Sequence, residues 1–179
     1  MKKILFGVIC CVMIIGLTTG CGNEKKENQN NSNNDNNVSE TKNTVMTCTY
    51  ESEAENEYES NTKSTEEFTY TKDMILISIK TIREEEYSTE EQYKRRKEQE
   101  DGYVTRANEY DGVKATIEEK GNKTYVITYN YEINKIDKES VLGSGVKKYI
   151  DSNNKFSVSE YKTYFLDLHK NRNASCTEK

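Results

Sequence analysis

Proline and tryptophan are absent from the 179-residue chain, and histidine occurs once, at His169. The lack of Pro and Trp goes with heavy use of Asn (19) and Lys (21), a bias typical of AT-rich coding sequence that says little about chemistry. The single histidine excludes more. An H-E-x-x-H zinc site cannot be built, and a Ser or Cys nucleophile has no credible partner base. At the end of a predicted helix, His169 reads as a surface cation that compensates the dipole. With nine glycines, the chain has no Gly-rich phosphate loop and no G-x-S-x-G turn. The five cysteines include no C-x-x-C pair, which removes the usual redox motif. The acidic run Glu84-Glu85-Glu86 lacks the spacing of an EF-hand loop and reads as solvated charge. No catalytic, cofactor-binding or metal-ligating residue is therefore assigned, and no cofactor is expected.

Long apolar runs are also lacking. The longest is Ile4–Leu17, shorter than the roughly 18–20 residues that a spanning helix needs. It follows the positive stretch Met1-Lys2-Lys3 and precedes Thr18-Thr19-Gly20-Cys21. A charged start, a short apolar run and a small residue before a cut are the parts of an export signal. Leu17-Thr18-Thr19-Gly20-Cys21 resembles a lipobox, the processing motif of lipoprotein signal peptides. The resemblance implies cleavage before Cys21 and a diacylglyceryl group on its sulfur. Two acyl chains hold a protein on a bilayer where one would not. Residues 1–20 are thus expected to be a signal peptide and Cys21 the lipid attachment site, facing the extracytoplasmic side of the cell membrane. An ordinary secretory signal or an uncleaved anchor is the alternative.

Loss of Met1–Gly20 would leave 24 basic against 31 acidic residues, a net charge of −7. That field opposes nucleic acid and anionic lipid surfaces. Residues 22–43 are Asn-rich and almost free of apolar side chains, so residues 21–43 read as lipidated cysteine plus flexible tether. Such a chain of 22 residues holds a domain roughly 25 Å from its anchor on average.

From residue 44 to 179 the composition changes to that of one folded domain. Thr44–Ser52 reads as a strand, and Phe68–Thr71 with Met74–Ile82 as a hairpin around Lys72-Asp73. Met74–Ile79 is apolar on both faces, as in a strand buried on both sides. Val113, Ala115 and Ile117 alternate with polar residues. After a Gly121-Asn122 turn, Tyr125, Ile127, Tyr129, Tyr131 and Ile133 do the same. Ser88 with Glu91 is a capping box for a helix from Thr89 to about Gln99, with an extension past Gly102 to Ala107 left open. Val146, Tyr149 and Ile150 mark a short helix after Gly143-Ser144-Gly145. Ser157 with Glu160 opens a late helix whose Val158, Tyr161, Phe165 and Leu168 form one apolar stripe. The order β-β-β-α-β-β-α-α predicts an α+β fold, an antiparallel sheet of about five strands with helices on one face.

A lipobox, a polar tether, hairpin strands, a helix near Tyr93, the Tyr110–Val113 entry to a hairpin and a late amphipathic helix together resemble the YehR-like small bacterial lipoproteins. The resemblance spans roughly residues 1–170. That family is of unknown function and supplies no site residues.

Cys10 and Cys11 leave with the signal peptide. Cys48 and Cys176 remain, an even pair in an exported domain, and are expected to form a disulfide that fastens the C-terminal tail to the sheet. Two free thiols are the alternative if the envelope is not oxidising. Most of the thirteen tyrosines fall at sheet or core positions, with a tyrosine-lined groove for peptide or glycan as the other reading. The functional expectation is a non-enzymatic binding or envelope-structural module with a membrane anchor and an envelope protein or glycan as partner. A small wall hydrolase using two carboxylates is the alternative. Two carboxylates facing each other in a deep pocket would favour it.

Overall fold

A computed structural model of the protein describes residues 43–179. Residues 1–42, which hold the expected signal peptide, Cys21 and nearly all of the expected tether, lie outside the described residues. One compact unit spans Lys42–Lys179. Its elements are β1 (Thr44–Ser52), β2 (Ser60–Tyr70), β3 (Leu76–Tyr87), α1 (Glu90–Ala107), β4 (Val113–Gly121), β5 (Thr124–Glu132), α2 (Lys138–Val141), α3 (Ser144–Lys147), α4 (Val158–Leu168) and β6 (Ser175–Glu178). The fold is α+β, and the strands form one antiparallel sheet in the order β4-β5-β3-β2-β1-β6. The sheet has six strands rather than about five. The addition is β6, the tail itself, which pairs with β1 from Met46 to Thr49.

Period-two alternation decides which side of the sheet is covered. Met46, Phe68, Ile79, Tyr131 and Val113 are successive cross-strand partners from β1 to β4 and share one face. That face carries both core clusters. One joins Met46, Cys48, Phe68 and Ile79 to Phe156, Tyr161 and Phe165, so α4 and the segment before it lie over β1 and β2. The other joins Tyr87, Tyr125 and Ile127 to Tyr93 of α1. The helices therefore sit on one face, and the Thr, Lys and Glu residues between these positions point to the other.

Turn chemistry fixes the hairpins. Thr71 Oγ1 accepts from the amides of Asp73 and Ile75, and Met74 takes a left-handed φ of 63°. Asn122 and Lys123 both have positive φ, 50° and 59°, as a type I′ turn between twisted strands requires.

Several boundaries differ from expectation. β2 starts at Ser60 rather than Phe68, and β3 runs on to Tyr87, because pairing to neighbours carries the polar stretches that propensity alone would leave as loop. Met74 and Ile77 are each 39% exposed, so β3 opens buried on one side only. The N-cap of α1 is Thr89, whose hydroxyl accepts from Gln92 N, one residue past the expected Ser88. Ser157 sits at the N-cap of α4 without a side-chain bond. Leu168 is 47% exposed, although it lies on the predicted stripe; the buried positions are Tyr161, Phe165 and His169, at i, i+4 and i+8, and Leu168 falls beside that line.

Candidate functional site

Cys48 and Cys176 form the expected disulfide. Their backbone positions explain why the bond fits. Val45 and Lys179 exchange both backbone hydrogen bonds, so the partners Cys48 and Cys176, three steps along, form a non-hydrogen-bonded pair. Such pairs bring side chains closest, and the Cα atoms are 4.1 Å apart. Cys48 is fully buried among core residues while Cys176 is partly exposed at the sheet margin. Two further contacts hold β6. Thr49 Oγ1 and Ser175 Oγ are 3.1 Å apart, and Tyr70 O–H donates to Glu178 at 2.9 Å. Burial and that carboxylate push the Tyr70 hydroxyl up to about 12.

A polar seam runs along the covered face between the two apolar clusters. Arg83 Nη2 donates to Glu100 Oε1 of α1 at 2.6 Å, and Arg83 Nε lies 2.7 Å from Glu85 Oε1. The Nε–H is not aimed at that oxygen, so the second contact is Coulombic rather than a hydrogen bond. Glu85 Oε2 accepts from Tyr87 O–H at 2.6 Å and from Tyr125 O–H at 2.7 Å. Burial and the Glu85 charge push the Tyr87 hydroxyl up to about 12 and that of Tyr125 further. Burial also raises the Glu100 carboxyl despite the opposing charge of Arg83. At the far side of α1, Tyr93 O–H donates to Glu119 at 2.7 Å, and Lys97 bridges Glu119 and Asp101. Under α4, Tyr161 O–H donates to Glu66, whose carboxyl is raised by burial and lowered in part by that bond.

The seam is chemically occupied. Each of these carboxylates is held by an arginine, a tyrosine or a lysine, and among the described residues no two face each other across an open cavity. A cavity of about 490 Å³ lies between the end of α4 and β6. Its lining of Leu166, His169, Lys170, Asn171, Arg172, Asn173 and Ala174 contains no acid. Among the described residues no cluster of His, Cys, Asp and Glu could hold a metal ion. Glu84, Glu85 and Glu86 show why: alternation sends the first and third to one face and the second to the other.

His169 is not the surface cation expected from sequence. It caps α4, is only 8% exposed, and stacks on Tyr50 with ring centroids 3.9 Å apart. Burial, with Arg172 beside it, lowers its pKa to about 4, so the ring is neutral near pH 7. Five of the tyrosines, Tyr70, Tyr87, Tyr93, Tyr125 and Tyr161, are likewise core residues, whereas Tyr58 and Tyr103 are exposed. Sequence reading missed the Arg83–Glu85–Tyr87 series, although its spacing of two places all three on one face.

No family model and no curated protein matches the chain. Among solved structures it is similar to an NMR structure of a protein from Streptococcus pneumoniae TIGR4, with 16% identity and a TM-score of 0.48. That match covers 89% of this chain and all of the other.

Proposed function

We propose that the chain is a lipid-anchored extracytoplasmic lipoprotein, a non-enzymatic binding or structural module of the cell envelope, of the YehR-like kind. The observation that carries this reading is the N-terminal series of Lys2-Lys3, the apolar run Ile4–Leu17, and Gly20-Cys21. Two features agree with it. The Cys48–Cys176 bond suits an exported domain, since disulfides persist in oxidising compartments. The compact unit starts at Lys42, after an Asn-rich stretch with the composition of a tether. No helix among the described residues is long and apolar enough to cross a membrane. Engagement of Glu66, Glu85 and Glu100 by buried partners favours a module without acid–base chemistry over a carboxylate hydrolase. The anchor is tested by feeding cells labelled palmitate. The label should enter the protein and be lost in Cys21→Ala, with the precursor left uncut; equal labelling of the two would refute the anchor.

A further inference from the structure

The pleat that buries one face of the sheet leaves the other uncovered by the described residues, and the residues there fall into an ordered row. Ser175, Thr49, Thr65, Ile82, Thr128 and Thr116 are successive cross-strand partners, one from each of the six strands. The 3.1 Å contact of Thr49 Oγ1 with Ser175 Oγ fixes the side on which the row lies. Every member is half-exposed or exposed, and both core clusters lie on the opposite face. Five hydroxyls and one isoleucine thus cross the sheet perpendicular to its strands, at a repeat of about 4.8 Å. Strand propensity accounts for threonine on a strand. It does not account for threonine or serine at the same register step in five of six strands.

The chemistry of this face selects among partners. Ion pairs flank the row, Lys80 with Glu67 on one side and Lys63 with Glu51 on the other, each at 3.8 Å, so neighbouring charges largely cancel. With an acidic chain around it, the row offers nothing to a polyanion. It is too polar to grip a lipid surface or an apolar helix. An extended peptide joins a sheet through the backbone at its edge, not through a face. Hydroxyls that both donate and accept, at even spacing, match a neutral chain of hydroxyls and amides. The strand repeat is close to the advance of one sugar along an extended β-1,4-linked pyranose chain, and Ile82 offers a contact for C–H groups of a ring face.

We propose that this uncovered face is a docking surface for an extended neutral β-linked polysaccharide lying along the hydroxyl row. This rests on the reading of the chain as a non-enzymatic envelope module and names its ligand class. No aromatic ring lies on the row to stack on a sugar, so single-chain affinity is low and retention depends on many anchored copies meeting one polymer.

The test is an NMR titration of the full-length chain in detergent micelles with the β-1,4-linked hexamer of N-acetylglucosamine, and with an α-linked glucose hexamer as control. The β-linked hexamer should shift amide signals at Thr49, Thr65, Ile82, Thr116 and Thr128. The triple variant Thr49→Val, Thr65→Val, Thr128→Val keeps shape and strand preference and should retain its melting temperature. It should bind about tenfold or more weakly, having lost three hydroxyl partners. No shift with the β-linked hexamer, equal shifts with the α-linked one, or an unchanged affinity in the folded triple variant would overturn the docking surface. These results leave the anchor at Cys21 untouched. Shortened sugars released by the parent chain would instead overturn the non-enzymatic reading while the mapped surface stands.

Discussion

Phe165 and Leu168 stand three residues apart on α4 and share the stripe that the helical period marks, yet only one is in the core. Phe165 is 1% exposed against Tyr50 and Tyr161, whereas Leu168 is 47% exposed. Phe165→Ala should cost about 3–5 kcal/mol, a large share of a small domain's stability. Leu168→Ala should change stability by about 0.5 kcal/mol or less. Thermal unfolding of both variants measures this, and a Phe165→Ala protein that melts like its parent would mean the stripe does not pack on the sheet. His169 gives a prediction in pH. Its folded pKa of about 4 lies below its ordinary 6.5, so the neutral ring is the form the fold favours. Its stability contribution is present above pH 6.5 and is lost as pH falls toward 4. His169→Phe keeps an aromatic ring on Tyr50 and should therefore lose less stability than the parent between pH 7 and pH 4.5. A constant difference in melting temperature across that range would show that the ring titrates alike in the folded and unfolded chain, so that the fold does not hold it neutral. Sequence identified Phe165 correctly because helical period reports burial. It misjudged His169 because position at a helix end does not reveal what packs against that end.

Among the elements, β6 shows how far local sequence reaches. Ser175–Glu178 has four residues and no period to read, and only the pairing of Cys176 with Cys48 connected it to the sheet beforehand. The bond closes a loop with a sequence separation of 128, for which chain entropy gives an upper stabilisation of about 4–5 kcal/mol. Cys176→Ser should lower stability by up to that amount and speed amide exchange at Val45, whose N–H donates to Lys179. Exchange at Tyr125 and Ile127, at the other end of the sheet, should keep its order relative to the rest. Uniform acceleration would mean that β6 is not a separable clasp. The charged half of β3 was illegible for a related reason. Arg83, Glu85 and Glu100 satisfy one another only after α1 crosses the sheet, and nothing in Ile82–Glu86 announces a partner seventeen residues away. The β4–β5 hairpin was legible because alternation and a turn suffice to define it.

For the whole molecule, the α+β class and the one-sided placement of helices follow from patterns of period two and 3.6. The hydroxyl row was not legible, since it exists only when six strands are placed in register. Function at this scale depends on where the domain is held. A lipid on Cys21 and a tether of roughly 25 Å reach would keep it beside the membrane, within range of envelope polymers. The direct measurement is the mass of the N-terminal peptide of the protein isolated from its own membranes. It should begin at Cys21 and carry the added mass of a diacylglyceryl group, with no peptide recovered from residues 1–20. An N-terminal peptide starting at Met1, or an unmodified Cys21, would contradict the lipid anchor and with it the envelope role.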